Sequence, residues 1–185
     1  EVFENLKILK LDEWGGIPAT DPNSCETFIQ QKILWPLSIS EERYISFESD
    51  PISSEKECER IQAEIEKNGA IDICILGLGK NGHIGFNEPS DELIPHCHVA
   101  RLSQESLQHQ MTDGMQNKPI YGLTLGMADI LRSKKIMLLL TGRDKKNVID
   151  GLLTKKITTR LPASFLWLHP NVECFIDSSF PDNRG

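Results

Sequence analysis

The sequence predicts an α/β protein in which a parallel or mostly parallel sheet carries helices on both faces. Three observations predict it. Short apolar runs suited to strands recur along the chain, and stretches with helical spacing of apolar residues lie between them. The central run at 71–77 (IDICILG) is nearly all apolar, as expected of a strand covered on both faces. Strands alternating with helices imply a three-layer, Rossmann-like α/β/α arrangement.

The elements follow in order. Residues 6–11 (LKILKL) are expected to form the first strand. Asp21-Pro22-Asn23-Ser24 supplies a turn and a capping residue. Phe28, Ile29, Ile33 and Leu34 then recur at helical spacing until Pro36 stops the helix. Residues 43–47 (RYISF) read as a short strand. Ser54 and Glu57 have capping-box spacing, and Gly69 ends the helix they open. A glycine-rich loop follows the run at 71–77. Residues 120–125 and 136–141 are two more strands with a short helix between them. A helix from Asp144 to Leu153, another over ASFLWLH, and a last strand at 172–177 complete the chain. With no repeat, linker or low-complexity segment, residues 1–185 are expected to form a single domain.

The 185 residues suffice for one sizeable core; 39% are hydrophobic and 25% charged, as in ordinary soluble proteins. A net charge of -7 argues against nucleic acid, whose phosphates want a basic face. No apolar run approaches the ~20 residues of a membrane span, and no signal peptide opens the sequence. Cys25, Cys58, Cys74, Cys97 and Cys174 are odd in number and lack CxxC spacing, which points to reduced thiols and the cytoplasm.

Ligands of open α/β sheets sit beyond the carboxyl ends of strands. Two stretches rich in ionisable groups are expected there: 11–16 (LDEWGG) and 77–89 (GLGKNGHIGFNEP). The glycines of the second permit a tight turn and close approach of backbone to a ligand. His83 exchanges protons near neutral pH, and Glu88 can turn back to orient or charge its ring. In the first stretch Asp12 and Glu13 directly follow an apolar strand. Adjacent carboxylates must repel or face different ways. One suits a proton shuttle at a substrate carbon with the other structural; both capping a following turn is equally consistent. His96-Cys97-His98 looks metal-binding, but neighbours on an extended chain point to opposite faces and no second pair at zinc spacing completes it. No metal site is expected. His169 and residues 165–168 are expected to be structural, in the core or at an interface.

The order strand-LDEWGG, then strand-GLGxNGHIxFNEP, resembles the glucosamine-6-phosphate deaminase/6-phosphogluconolactonase superfamily. The likeness continues through 121–126 (YGLTLG), Thr141-Gly142 with Lys145 behind it, and 161–170 (LPASFLWLHP), so it covers nearly the whole chain. The lactonase branch usually carries GHTASLFP and DER where this chain has GHIGFNEP and Asp12-Glu13-Trp14, which favours the deaminase branch. The DEW and LPASFLWLHP details are most similar to galactosamine-6-phosphate isomerases.

The resemblance implies an enzyme without metal or cofactor that converts galactosamine or glucosamine 6-phosphate to a ketose 6-phosphate and ammonia. It implies that His83 protonates the ring oxygen, that Glu88 supports His83, and that Asp12 moves a proton from C2 to C1. Lys145 matches the phosphate-binding lysine; Gly79, Gly82 and Glu13 are further substrate contacts. Asn81, counted with the catalytic group, stands where the family's deaminases often have Asp. The family's phosphate-binding arginine has no counterpart between Arg101 and Arg132, Thr112 being flanked by Met111 and Asp113. The N-terminal strand and phosphate loop that precede the LDE strand in the family are not in the sequence, so the chain is expected to fold but to hold phosphate weakly. A lactonase and a non-catalytic sugar-phosphate sensor remain as alternatives, and a homo-oligomer stays open.

Overall fold

The computed structural model describes residues 3–107, 115, 118–141 and 145–177. Its elements in chain order begin with β1 (Ile8–Leu9), β2 (Asp12–Gly15), α1 (Cys25–Ile29), β3 (Tyr44–Ile45), α2 (Ser54–Asn68), β4 (Ile73–Gly77) and β5 (His98–Ala100). They continue with α3 (Gln104–Leu107), β6 (Tyr121–Thr124), α4 (Met127–Leu131), β7 (Lys135–Leu140), α5 (Lys146–Leu153) and β8 (Val172–Ile176). The expected α/β class holds. The chain divides into two units, Glu1–Asn68 with Cys97–Leu125 and Gly69–His96 with Gly126–Gly185.

In the first unit β1 pairs with β3 in parallel. A second sheet, ordered β2-β6-β5, is antiparallel throughout. The stretch expected as a loop past a strand end is therefore itself a strand. The apolar run 6–11 yields only the two residues of β1 because Lys10 turns inward. Its side chain is 3% exposed, and its ammonium lies 2.7 Å from Glu13 Oε2 and 2.6 Å from Glu26 Oε2 while donating to the Phe47 carbonyl at 3.0 Å.

Glu13 is fully buried. Its carboxylate accepts the backbone N–H groups of Trp14 (2.8 Å), Cys25 (3.0 Å) and Glu26 (2.8 Å). Two of these belong to the first turn of α1, where N–H groups otherwise lack partners and where the helix dipole favours an anion. Ser24 is the N-cap, its hydroxyl accepting Thr27 N–H at 3.0 Å. The expected long helix is five residues of α-helix followed by a π-helical turn, Gln30–Leu34, ahead of Pro36.

The expected capping box at Ser54 and Glu57 is corrected. Ser53 does the capping, its hydroxyl accepting Lys56 N–H at 3.3 Å. Glu57 is buried and accepts Glu48 N–H at 2.7 Å while pairing with Arg60 at 2.6 Å. Gly69 follows α2 at φ +82°, the left-handed conformation expected of a helix-ending glycine.

In the second unit β4, β7 and β8 form a parallel sheet in which Gly77 registers with Leu139, and Leu140 with Ile176. Cys74, Leu76, Ile136, Leu138 and Leu140 bury one side of it. The reading of residues 71–77 as covered on both faces is corrected: Ile73 and Ile75 are 54% and 59% exposed, since no described element packs over them. ASFLWLH forms a 3₁₀ helix, Pro162–Leu168, rather than an α-helix. The expected helix start at Asp144 lies outside the described residues. His169 is structural as expected, Nε2 meeting the Ser133 carbonyl at 2.7 Å and Nδ1 accepting Asn171 N–H at 3.1 Å.

One consequence can be measured. Burial raises the Glu26 carboxyl, but the charge and hydrogen bond of Lys10, with bonds from Tyr44 and Gln30, outweigh it and hold the group below its ordinary value. A depressed carboxyl adds stability above its unfolded pKa and loses it as pH falls through its folded one. Lys10→Met leaves two carboxylates without their cation and is expected to lower unfolding free energy at pH 7 by about 3–5 kcal/mol. Urea unfolding at pH 7 and about pH 4 is expected to show a smaller cost at the lower pH; equal costs would mean that Lys10 acts by packing alone.

Candidate functional site

The glycine-rich loop leaves the carboxyl end of β4, where parallel sheets present their ligands. It is held by its own backbone. Gly79 N–H donates to the His83 carbonyl (3.1 Å), and Gly82 N–H to the Gly79 carbonyl (3.0 Å). Gly82 adopts φ +89°, and a Cβ there would come within 2.2 Å of Leu161 Cδ1. The Gly82 carbonyl accepts Ala163 N–H at 3.0 Å, so the 3₁₀ helix of LPASFLWLH braces the turn. Gly79 leaves room for the imidazole: a Cβ at 79 would lie 2.4 Å from three atoms of the His83 ring. Ile84, Phe86 and Asn87 are buried, and Asn87 Nδ2 bonds back to the Ile84 carbonyl at 2.9 Å.

This frame brings three of the expected residues together. His83 Nδ1 lies 3.3 Å from Glu88 Oε2, an ion-pair distance, although the pair does not meet hydrogen-bond geometry in this conformation. Asn81 Nδ2 donates to that same Oε2 at 2.9 Å, and Asn81 Oδ1 accepts His83 N–H at 3.1 Å. Asn81 thus carries no relay of charge, but it sets Glu88 against the ring. The arrangement sets a carboxylate oxygen opposite one ring nitrogen of a side chain suited to proton transfer.

Lys145 occupies the N-cap of α5, after β7. β7 runs beside β4 in parallel, so the Lys145 segment and the His83 loop leave the same carboxyl edge of one sheet. Gly142, which precedes Lys145 in the expected phosphate segment, lies outside the described residues, as does Thr112.

Asp12 begins β2 in the first unit and is partly exposed. The cysteine Sγ of Cys25 lies 4.0 Å from its Oδ1. Glu13, expected as a substrate contact, is corrected: it has no exposed surface, and its oxygens are taken by Lys10 and three backbone N–H groups. Of the readings left open for this carboxylate pair, the geometry gives Glu13 the structural part and leaves Asp12 at the surface.

Two residues, one beside Asp12 and one two strands away in its row, were not singled out by the sequence. Cys25 passed as a reduced thiol. His98 was set aside as a metal ligand, yet it registers with Thr124, which registers with Asp12, so the three lie in one cross-strand row on one sheet face. Only strand register reveals that row. Of its neighbours, His96 Nδ1 meets the buried Asp129 at 3.0 Å and Cys97 N–H bonds Gln62. Among the described residues no group of three or more His, Cys, Asp or Glu is placed to hold a metal ion.

The family model for glucosamine-6-phosphate isomerases/6-phosphogluconolactonase matches residues 3–175. The chain is 47% identical over 173 residues to the "Putative deaminase AgaI" of Escherichia coli (strain K12), which spans 94% of this chain and 68% of that protein. It is 34% identical over 177 residues to the glucosamine-6-phosphate deaminase of Clostridium beijerinckii, covering 95% of this chain and 73% of the relative. Among solved structures, a monomeric glucosamine-6-phosphate deaminase of the NagB superfamily superposes with TM-score 0.88 at 32% identity, over 95% of this chain and 74% of that one. A 6-phosphogluconolactonase from Thermotoga maritima shares the fold, with TM-score 0.70 at 20% identity over 92% of this chain and 72% of its own. A match of this extent, falling on the loop and strands just described, places the chain in the family of glucosamine-6-phosphate isomerases and 6-phosphogluconolactonases.

Proposed function

We propose that the protein is an amino-sugar phosphate isomerase/deaminase, converting galactosamine or glucosamine 6-phosphate and water to a ketose 6-phosphate and ammonia. The observation that carries this reading is the Glu88 oxygen that faces His83 and is fixed there by Asn81. The deaminase relatives at 34% and 32% identity support it. The lactonase alternative rests on likeness of fold alone, and nothing in the geometry favours a sensor.

In this reading the imidazolium of His83, charged and oriented by Glu88, protonates the ring oxygen of the closed sugar. The ring opens with the amine at C2. Ring opening takes the proton from the C1 hydroxyl to leave an aldehyde; Asp12 then removes the C2 proton, and the electron pair forms an enolamine as the C1 oxygen takes a proton back. The same carboxylate returns the proton to C1, leaving an imine at C2. Water adds to C2 and ammonia departs, so the balance is hexosamine phosphate plus water to ketose phosphate plus ammonia. One small base serves both carbons because they are adjacent. Lys145 supplies a point charge for the phosphate, and Gly79 and Gly82 let backbone approach the sugar. All five cysteines are free thiols, which supports the cytoplasm as compartment.

Asp12→Asn is expected to keep the fold and lower ammonia release by about 10²–10⁴-fold, the usual cost of losing a general base. Deuterium exchange at substrate C2 is the direct readout; exchange persisting at the wild-type rate would remove Asp12 from the role. His83→Gln is expected to slow turnover of the closed sugar more than that of an open-chain analogue, which bypasses ring opening. Equal losses on the two would assign His83 to another step.

A further inference from the structure

The first unit holds a thiol that the proposed chemistry does not use. Cys25 is the first residue of α1, and its Sγ stands 4.0 Å from Asp12 Oδ1, within reach of a sulfur hydrogen bond. Its place is fixed twice over. Cys25 N–H donates to Glu13 Oε1 at 3.0 Å. Glu13 is in turn locked by Lys10 and is the covalent neighbour of Asp12. The loop therefore closes on itself: Asp12 to Glu13 through the chain, Glu13 to Cys25 through a carboxylate, and Cys25 back to Asp12 through the thiol.

We propose that Cys25 is a positioning residue for Asp12, its thiol donating to one carboxylate oxygen and so holding the other toward substrate. The proposal rests on Asp12 being the C2 base. The charged groups around the thiol are Asp12, Glu13 and Lys10; burial and the two carboxylates push it well above its usual range, with Lys10 opposing, so it keeps the proton it donates. A base that must take a proton from one carbon and return it to the next needs an ionised carboxylate in one orientation. It also needs to stay basic. A lysine or arginine partner fixes a carboxylate at a large cost in basicity, whereas a thiol, a weaker donor, orients it at a smaller one.

Three variants separate this role from packing. Cys25→Val keeps volume without a donor, Cys25→Ala removes both, and Cys25→Ser restores a donor. Ammonia release from glucosamine and galactosamine 6-phosphates is followed across pH, beside urea unfolding and an Asp12→Asn control. The expected result is that Val and Ala lower kcat about three- to tenfold with KM little changed. The acid limb of kcat moves to slightly higher pH in both, because a carboxylate that loses one donor protonates more readily, and Ser recovers most of the loss and the wild-type limb. If wild type turns over, Asp12→Asn does not, and Val and Ala keep the wild-type kcat and acid limb whatever their stability, the positioning role is overturned while the proposed function stands. If Asp12→Asn turns over like wild type, the assignment of Asp12 falls, and the role of Cys25 with it.

Discussion

One buried ammonium governs the first unit. Lys10 is almost without solvent and sits between the carboxylates of Glu13 and Glu26. A lone buried charge is expensive, and a pair returns the cost only when its remaining hydrogen-bonding capacity is met. Here one cation meets two anions. The excess negative charge is spread over the N–H groups of Trp14, Cys25 and Glu26, the Tyr44 hydroxyl and the Gln30 amide. Meeting those requirements dictates geometry. β1 must end before Lys10, β2 must present Glu13 inward, and α1 must start where its first N–H groups reach that carboxylate. With Glu13 turned in, alternation along β2 turns Asp12 to the other face. The partly exposed position of the proposed base is thus a consequence of the buried position of its neighbour.

The second unit presents its titratable group by other means. His83 is held by backbone and by vacancy of side chain: the Gly79–His83 and Gly82–Ala163 backbone bonds set the loop, and the missing Cβ of Gly79 makes the seat for the ring. Such a seat needs no charge. It leaves Glu88 Oε2, 3.3 Å from Nδ1, as the ion-pair neighbour of the imidazole.

How much of this was legible in the sequence follows from what each feature depends on. The glycine-rich loop and its His83, Asn81 and Glu88 depend on local spacing, and the sequence reading had all three. Ser24 as a cap and Gly69 as a helix end are likewise local. Glu13 was misread because its partner Lys10 gave no sign of being buried; a lysine in LKILKL looks like a solvated residue flanking a strand. The antiparallel direction of β2 against β6 was not legible, since alternation of side chains is the same in both directions. Nor was the row from Asp12 through Thr124 to His98, which exists only once register is set. The apolar run at 71–77 gave the strand but not its surroundings, so the exposure of Ile73 and Ile75 was not foreseen. Ser53 in place of Ser54 is a slip of one residue between two serines with equal claims.

Asn81 shows why a neutral side chain can serve beside the proposed ring-opening histidine. Its amide donates to Glu88 Oε2 and its carbonyl accepts the His83 backbone N–H, so both of its ends are used with their proper polarity. An ionised Asp at 81 keeps the second bond and loses the first, since a carboxylate cannot donate. It also sets a second negative charge against Glu88, and two carboxylates at that distance raise each other's proton affinity. Glu88 then swings from the ring or takes up a proton, and either outcome weakens its pairing with His83. With the amide in place Glu88 Oε2 is aimed at the ring. The departure at this position therefore leaves the His83–Glu88 pair intact, and it transfers to a hydrogen bond the orienting work that a second charge would do by another route.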